Sequence, residues 1–228
     1  MDTSSPERRT AARARAAVRT VRLGDVAPQA WRNGGGRTRE LLAWPSAELW
    51  SLRISVAEID RDGPFSAYPG VQRRFAVVDG AGVVLSFASG ERTCRRGDAP
   101  LSFDGREAPG CRLIDGPTRD LNLMARHGRS TLQAVRRGEA WDDAAVLRGL
   151  YSAVAGEWQA GDDARAVDAG TLLYVTGSGA VDLDADGRAT RRSAAAWRFV
   201  PAGRRGDAGD TVAAWWFGYS PDPEASPR

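Results

Sequence analysis

Two stretches of this chain repeat each other without a gap. FAVVDGAGVVLSFASGERTCRRGDAPLSF, from residue 75, lies beside LLYVTGSGAVDLDADGRATRRSAAAWRFV, from residue 172. Gly80, Gly82 and Gly90 fall on Gly177, Gly179 and Gly187, each 97 residues on. The shared form is apolar strand, Gly-x-Gly turn, strand, glycine, strand, then a closing apolar strand. Three matched glycines alone prove little in a chain with 26. The matched flanking strands are what point to an internal duplication. Each half is too short for a large sandwich, whereas two small β-barrels packed together fit the length.

The rest of the sequence also reads as strands. WSLRISVAEI puts Trp50, Leu52, Ile54 and Val56 on one face and Ser51, Arg53 and Ser55 on the other. That period of two predicts a half-buried strand. RDGPFSAYPG is a turn-rich connection fixed by Gly63-Pro64 and Tyr68-Pro69-Gly70. CRLID and LNLMAR continue the strand pattern. One stretch, EAWDDAAVLRGLYSAV, reads as a short helix. The fold class expected is all-β.

Composition excludes several functions. All 32 basic side chains are Arg, and the chain has no Lys. Abundant Ala and Gly make this look like the codon bias of a GC-rich genome, so Arg abundance by itself argues nothing. Residues 1–22 carry six Arg against Asp2 and Glu7, a surplus of four, so of the net +3 the body holds about −1. A nucleic-acid face needs clustered positive charge on the folded part, and composition shows none. Residues 1–20 are expected to be a disordered basic tail. No apolar run reaches the roughly 18 residues of a spanning helix, so no membrane partner is expected. The N-terminus does not read as a secretory signal. Two cysteines, Cys94 and Cys111, make no disulfide framework; buried inert thiols in a reduced cytoplasmic chain are the simplest reading.

The common catalytic and cofactor motifs are missing. One histidine, His127, is too few for the metal sites usual in small β-barrels, and MARHGRS places it at an exposed strand end. Neither a metal nor any other cofactor is expected. The triple glycine of WRNGGGRTREL cannot be a P-loop without Lys, and a strand follows it where a dinucleotide fingerprint needs a helix.

Four motifs together resemble the HutD/Ves family: WRNGGGRTREL, WSLRISVAEI, DGPFSAYPG and DGPTRDLNLMAR. The resemblance is strong over about residues 22–130 and weak from 131 to 220. It implies a bicupin, two double-stranded β-helix barrels in one chain, without the usual cupin metal histidines. Residues 21–130 would form the first barrel and 131–220 the second. It further implies a regulatory rather than enzymatic role linked to histidine utilisation. The implied ligand is a small acid such as urocanate or a formylated glutamate derivative. The family tends to place an acid before the Arg that follows its Pro-Gly turn; here Gln72 stands there, and Arg73 matches the Arg.

The same residues make sense as a pocket on chemical grounds. Small anions are held by Arg forks, amide or hydroxyl donors and close backbone N–H groups. The motifs supply Asn33, Thr38 and Arg39, then Arg53 and Ser55, then Ser66, Arg73 and Asn122. Backbone N–H groups at Gly34, Gly35 and Gly36 would add donors where no Cβ blocks approach. Trp31, Phe65 and Tyr68 would wall a flat ligand. Plainer readings compete: Arg53 and Ser55 on a solvated face, Arg39 paired with Glu40 or another surface acid, Asn122 in a bulge or turn, Ser66 capping its turn. The alternative function is a metal-independent enzyme on a small organic acid, using carboxylates such as Glu40, Glu58 or Asp115. A homodimer joined through strands is a further expectation, by analogy alone.

Overall fold

The computed structural model describes residues 17–177, 181–183, 189–191, 195–202 and 211–222. Most of the expected tail, and with it Gly179 and Gly187, lies outside the described residues. The described chain is all-β apart from two 3-10 turns, Leu23–Asp25 and Gly105–Glu107. No helix among the described residues is long and apolar enough to cross a membrane.

The first half builds two antiparallel sheets. One runs in the order Gln29–Ala30, Gly36–Trp44, Leu52–Ile59, Thr118–Ala125, Gln72–Asp79, Leu101–Asp104. The other runs Gly63–Pro64, Gly110–Leu113, Val83–Phe87, Gly90–Cys94. The two meet over Ile59, Phe75, Val77 and Phe103 from the first and Val83, Leu85, Cys94 and Cys111 from the second. Alternation along each strand gives the six-stranded sheet a second apolar face, with Leu52, Ile54, Val56, Leu121 and Leu123.

That second face is covered by the second half. Its five-stranded sheet runs Arg19–Arg22, Thr171–Thr176, Leu147–Ser152, Thr211–Pro221, Gly128–Arg136. It presents Leu132, Leu147, Tyr151, Leu172, Trp215 and Phe217 to Leu52, Ile54 and Val56. The alternation read as half-buried is therefore buried on both sides. Trp50 leaves the pattern: it precedes the strand and packs with Val71 and Met124 instead.

The opposite face of the five-stranded sheet meets Asp163–Val167, Gly156–Ala160 and Trp197–Pro201. Aromatic bulk fills that interior. Trp141 stacks on Trp216 with ring centroids 5.1 Å apart, and Trp158 meets Trp197 edge-on at 4.9 Å. The two interiors thus differ: tryptophan plugs the second, while the first leaves room.

The 97-residue offset recurs in the elements. It carries Gln72–Asp79 to Thr171–Thr176, Val83–Phe87 to Val181–Leu183, Gly90–Cys94 to Ala189–Arg191, and Leu101–Asp104 to Trp197–Pro201. Sheet order does not follow it. Thr118–Ala125 lies between Leu52–Ile59 and Gln72–Asp79, whereas its counterpart Thr211–Pro221 lies between Leu147–Ser152 and Gly128–Arg136.

Two expectations need correction. Residues 19 and 20, placed in the tail, are strand residues, and Arg19–Arg22 pairs with Thr171–Tyr174 of the second half. The expected helix over 139–154 is absent: Leu147–Ser152 is a strand buried on both faces. A short run buried on both faces carries no clean period that separates strand from helix. Gly149 settles this one, since an added Cβ would overlap the Leu173 carbonyl oxygen and the Phe217 ring.

Candidate functional site

A cavity of about 550 Å³ opens from the interior of the first sheet pair. Its walls follow from strand period. Leu52–Ile59 turns Arg53, Ser55 and Ala57 inward, the same face that further along carries Ile59 into the core. Thr118–Ala125 contributes Asp120, Asn122 and Met124, and Gln72–Asp79 contributes Arg73. The interior is apolar at one end and polar at the other. Arg53 and Ser55 therefore do not sit on a solvated face, and Asn122 lies in regular pairing opposite Ser55 and Phe75, neither bulge nor turn.

Arg73 is the centre of the polar end. It is only 6% exposed, and its Nη2 donates to Asn122 Oδ1 at 2.7 Å. The guanidinium carbon stands 4.9 Å from the Phe65 ring centre, 5.1 Å from Phe103 and 6.0 Å from Tyr68. Aromatic faces favour the cation without spending its N–H donors. Arg73 Nε is buried and has no hydrogen-bond partner among the described residues. Burial lowers the guanidinium pKa from its ordinary value, opposed by Asp120 and Tyr68, yet arginine stays charged.

Asp120 completes the group. It is fully buried, and its Oδ1 accepts a short hydrogen bond from Asn122 Nδ2. Its Oδ2 has no partner. Burial pushes this carboxyl up to about 8, against the pull of Arg73. Sequence reasoning chose Asn122 and missed Asp120. The signal was present in TRDLNLMA, where a period of two from Asn122 puts Asp120 and Met124 on the same face.

The mouth comes from the two turn motifs. Trp31, Arg32 and Asn33 line it from the hairpin before Gly36–Trp44, and Phe65, Ser66 and Tyr68 line it from the Pro-Gly turn. Thr38 Oγ1 accepts from Trp31 Nε1 at 2.7 Å and holds the indole in the wall. Ser66 is a rim residue.

The triple glycine shapes this mouth without lining it. Gly34 adopts φ 68°, a turn conformation that costs glycine nothing. The Gly35 N–H is already spent on Asn33 Oδ1 at 3.0 Å, and the Gly35 carbonyl accepts from Asp60 and Arg61. An added Cβ on Gly36 would overlap the Glu58 carbonyl oxygen of the neighbouring strand. The close approach is strand against strand.

Arg39 also lies outside the cavity. Its Nη1 meets Glu58 Oε1 at 2.5 Å and its Nε donates to the Val26 carbonyl at 3.1 Å. Glu58 collects Arg37 and Arg39, with Arg119 at 3.7 Å. Burial alone would raise its pKa, but the hydrogen bonds from Arg37 and Arg39 hold it below the usual value. Glu40 Oε2 lies 2.6 Å from Arg53 Nε, without the alignment of a hydrogen bond. Asp115 is an exposed turn residue and His127 an exposed residue between two strands. None of the three carboxylates proposed for acid–base work lines the cavity. Cys94 and Cys111 are free and buried, and burial pushes their thiols up to about 11 and about 12. Among the described residues no group of three His, Cys, Asp or Glu is placed to hold a metal ion.

Comparison with known proteins places this geometry. The family model described as HutD matches residues 24–192. Protein Ves of Citrobacter koseri is 30% identical over 146 residues, covering 63% of this chain and 76% of that protein. An uncharacterised 21.2 kDa protein in the hutC 3' region of Pseudomonas putida is 33% identical over 110 residues, covering 47% of this chain and 57% of its own. Among solved structures, a conserved protein of unknown function from Pseudomonas aeruginosa superposes with a TM-score of 0.74 at 22% identity, covering 90% of this chain and all of that one. HutD from Pseudomonas fluorescens, in a formate condition, gives 0.69 at 24% identity over 90% and 98%. At these identities the structural likenesses speak for the fold alone.

Proposed function

From the premise that this chain belongs to the HutD family, we propose that its cavity binds a small carboxylate metabolite and that the protein acts as a cytoplasmic regulator in histidine utilisation. In this reading the two sheet pairs are two cupin-like barrels of which only the first receives ligand. Urocanate and formylated glutamate derivatives are the acids to try first. One observation carries the reading: Arg73 is a buried cation that lines the cavity, with Nη2 held by Asn122 Oδ1. A carboxylate meets a guanidinium with charge-assisted, directional bonds, so it suits this wall better than a neutral molecule. Trp31, Phe65 and Tyr68 suit a planar body behind the acid group. Calorimetric titration of the folded protein with formate, urocanate and N-formyl-L-glutamate tests it. Saturable heat that Arg73→Gln removes supports the reading; absence of heat with all three sinks it.

A second reading has one observation in its favour. A carboxyl raised to about 8 beside a cavity has the proton affinity of a general acid–base group. An enzyme acting on the same acids would then use Asp120, in place of the ion-paired Glu40 and Glu58 or the exposed Asp115. NMR of the three acids incubated with protein separates the readings, since only an enzyme yields product.

A further inference from the structure

We propose that Asp120 couples the cavity to pH: an anion seats on Arg73 while Asp120 is protonated, and where the empty protein has lost that proton, binding takes one up from solvent. The inference rests on the carboxylate-binding reading above and adds a regulation of the same site.

Two anionic groups compete for one cation. Asp120 and a bound anion both depend on the positive charge of Arg73. Asn122 stands between the residues: its Oδ1 accepts from Arg73 Nη2 and its Nδ2 donates to Asp120 Oδ1. In the empty cavity Arg73 is the charge that favours the ionised carboxyl against complete burial. An anion on the guanidinium cancels that support and adds repulsion of its own. A buried carboxylate with no compensating cation takes a proton. Oδ2 has room in its bonding for that proton, because nothing among the described residues donates to it.

The consequence has a direction and a window. Below about pH 8 Asp120 already carries its proton, and anion binding draws none from solvent. Above that value the empty protein has lost the proton and must regain it to bind, so affinity falls by up to about tenfold per pH unit. The carboxylate ligand, with an ordinary pKa near 4, stays ionised throughout.

Arg73 from Gln72–Asp79 and Cys111 from Gly110–Leu113 interact with Asp120, and Tyr68 from the Pro-Gly turn and Arg53 from Leu52–Ile59 act on Arg73. Asp120→Asn removes the titrating carboxyl and leaves these four in place. Asparagine also keeps an acceptor for Asn122 Nδ2, as a protonated Asp120 does.

Calorimetry from pH 6.5 to 9.5, in pairs of buffers with different ionisation enthalpies, tests the inference with formate, urocanate and N-formyl-L-glutamate as probes. The expected result is no proton uptake at pH 6.5, uptake approaching one at pH 9, and a flat affinity profile for Asp120→Asn. Binding by the unmodified protein without proton uptake at pH 9 overturns the inference and leaves the carboxylate reading standing. An uptake that persists in Asp120→Asn assigns the proton to a group other than Asp120 and equally overturns it. Absence of binding by all three probes at every pH removes the carboxylate reading and the inference with it.

Discussion

Arg73 faces Met124 across the ladder, while Asn122 faces Phe75, and Arg73 reaches diagonally to place Nη2 2.7 Å from Asn122 Oδ1. The diagonal matters because it fixes the plane of the guanidinium. With one edge tied to Asn122 and aromatic rings around it, the remaining donors are presented in a set direction.

Arg73→Lys keeps the charge and loses the fork. Charge-assisted hydrogen bonds contribute about 1.5–3 kcal/mol, so affinity for a carboxylate probe is expected to fall roughly 10- to 150-fold. Arg73→Gln loses charge and fork and falls at least as far. Isothermal titration at pH 7, with thermal unfolding run in parallel, measures it. A Lys variant that binds as tightly as the unmodified protein contradicts the assignment.

Asp120→Asn has a second, ligand-free signature. The folded protein holds the Asp120 proton up to about pH 8, while the unfolded chain loses it near 3.8. Between those values the folded state binds more protons, so stability declines as pH rises. The decline is absent below the unfolded value, complete above about 8, and missing from Asp120→Asn. Urea unfolding at pH 5, 7 and 9 should therefore show the variant gaining relative to the unmodified protein at each step up. Equal differences at all three pH values count against the buried-carboxyl assignment.

Glu58→Gln separates scaffold from site. Glu58 ties Arg37 and Arg39 outside the cavity, with Arg37 about half exposed. A partly solvated network of this kind contributes about 1 kcal/mol. The variant should lose that much stability and bind carboxylate probes unchanged. A large affinity loss at constant stability would return Glu58 to the site.

Much of this was legible in the sequence because β-structure writes its faces into alternate residues. Arg53 and Ser55 stand on a strand whose period is visible, Arg73 follows the aromatic-rich Pro-Gly turn, and Asn33, Thr38, Ser66 and Asn122 belong to motifs that carry donors. All seven line the cavity, and so do Trp31, Phe65 and Tyr68. Legibility ended where a neighbour decided. Arg39 looks like any inward donor until Glu58 and the Val26 carbonyl claim it. Gly36 looks like an open backbone until the adjacent strand covers it. Asp120 is missed when the strand is taken to begin at Leu121, three residues after its first residue, Thr118. The tryptophan filling of the second half is a tertiary property: nothing in the separate segments around Trp141, Trp158, Trp197 and Trp216 says that they share one interior.

The triple glycine gives the most discriminating test, because adjacent positions make opposite demands. At Gly36 an added Cβ overlaps the Glu58 carbonyl oxygen and comes within 3.2 Å of the Trp31 ring. The obstacle is backbone held in register opposite Ile59, so Gly36→Ala must push two strands apart. Overpacking of this kind costs about 1–3 kcal/mol. At Gly35 the new Cβ would lie 3.3 Å from Asn33 Oδ1, a side chain at the cavity rim that can swing away. Gly35→Ala should then change stability by less than about 1 kcal/mol and weaken carboxylate binding by moving Asn33. Thermal unfolding and titration of both variants give four numbers. The assignment requires the stability loss to sit with Gly36 and the affinity loss at preserved stability to sit with Gly35; the reverse pattern would mean that the loop meets ligand through Gly36 itself.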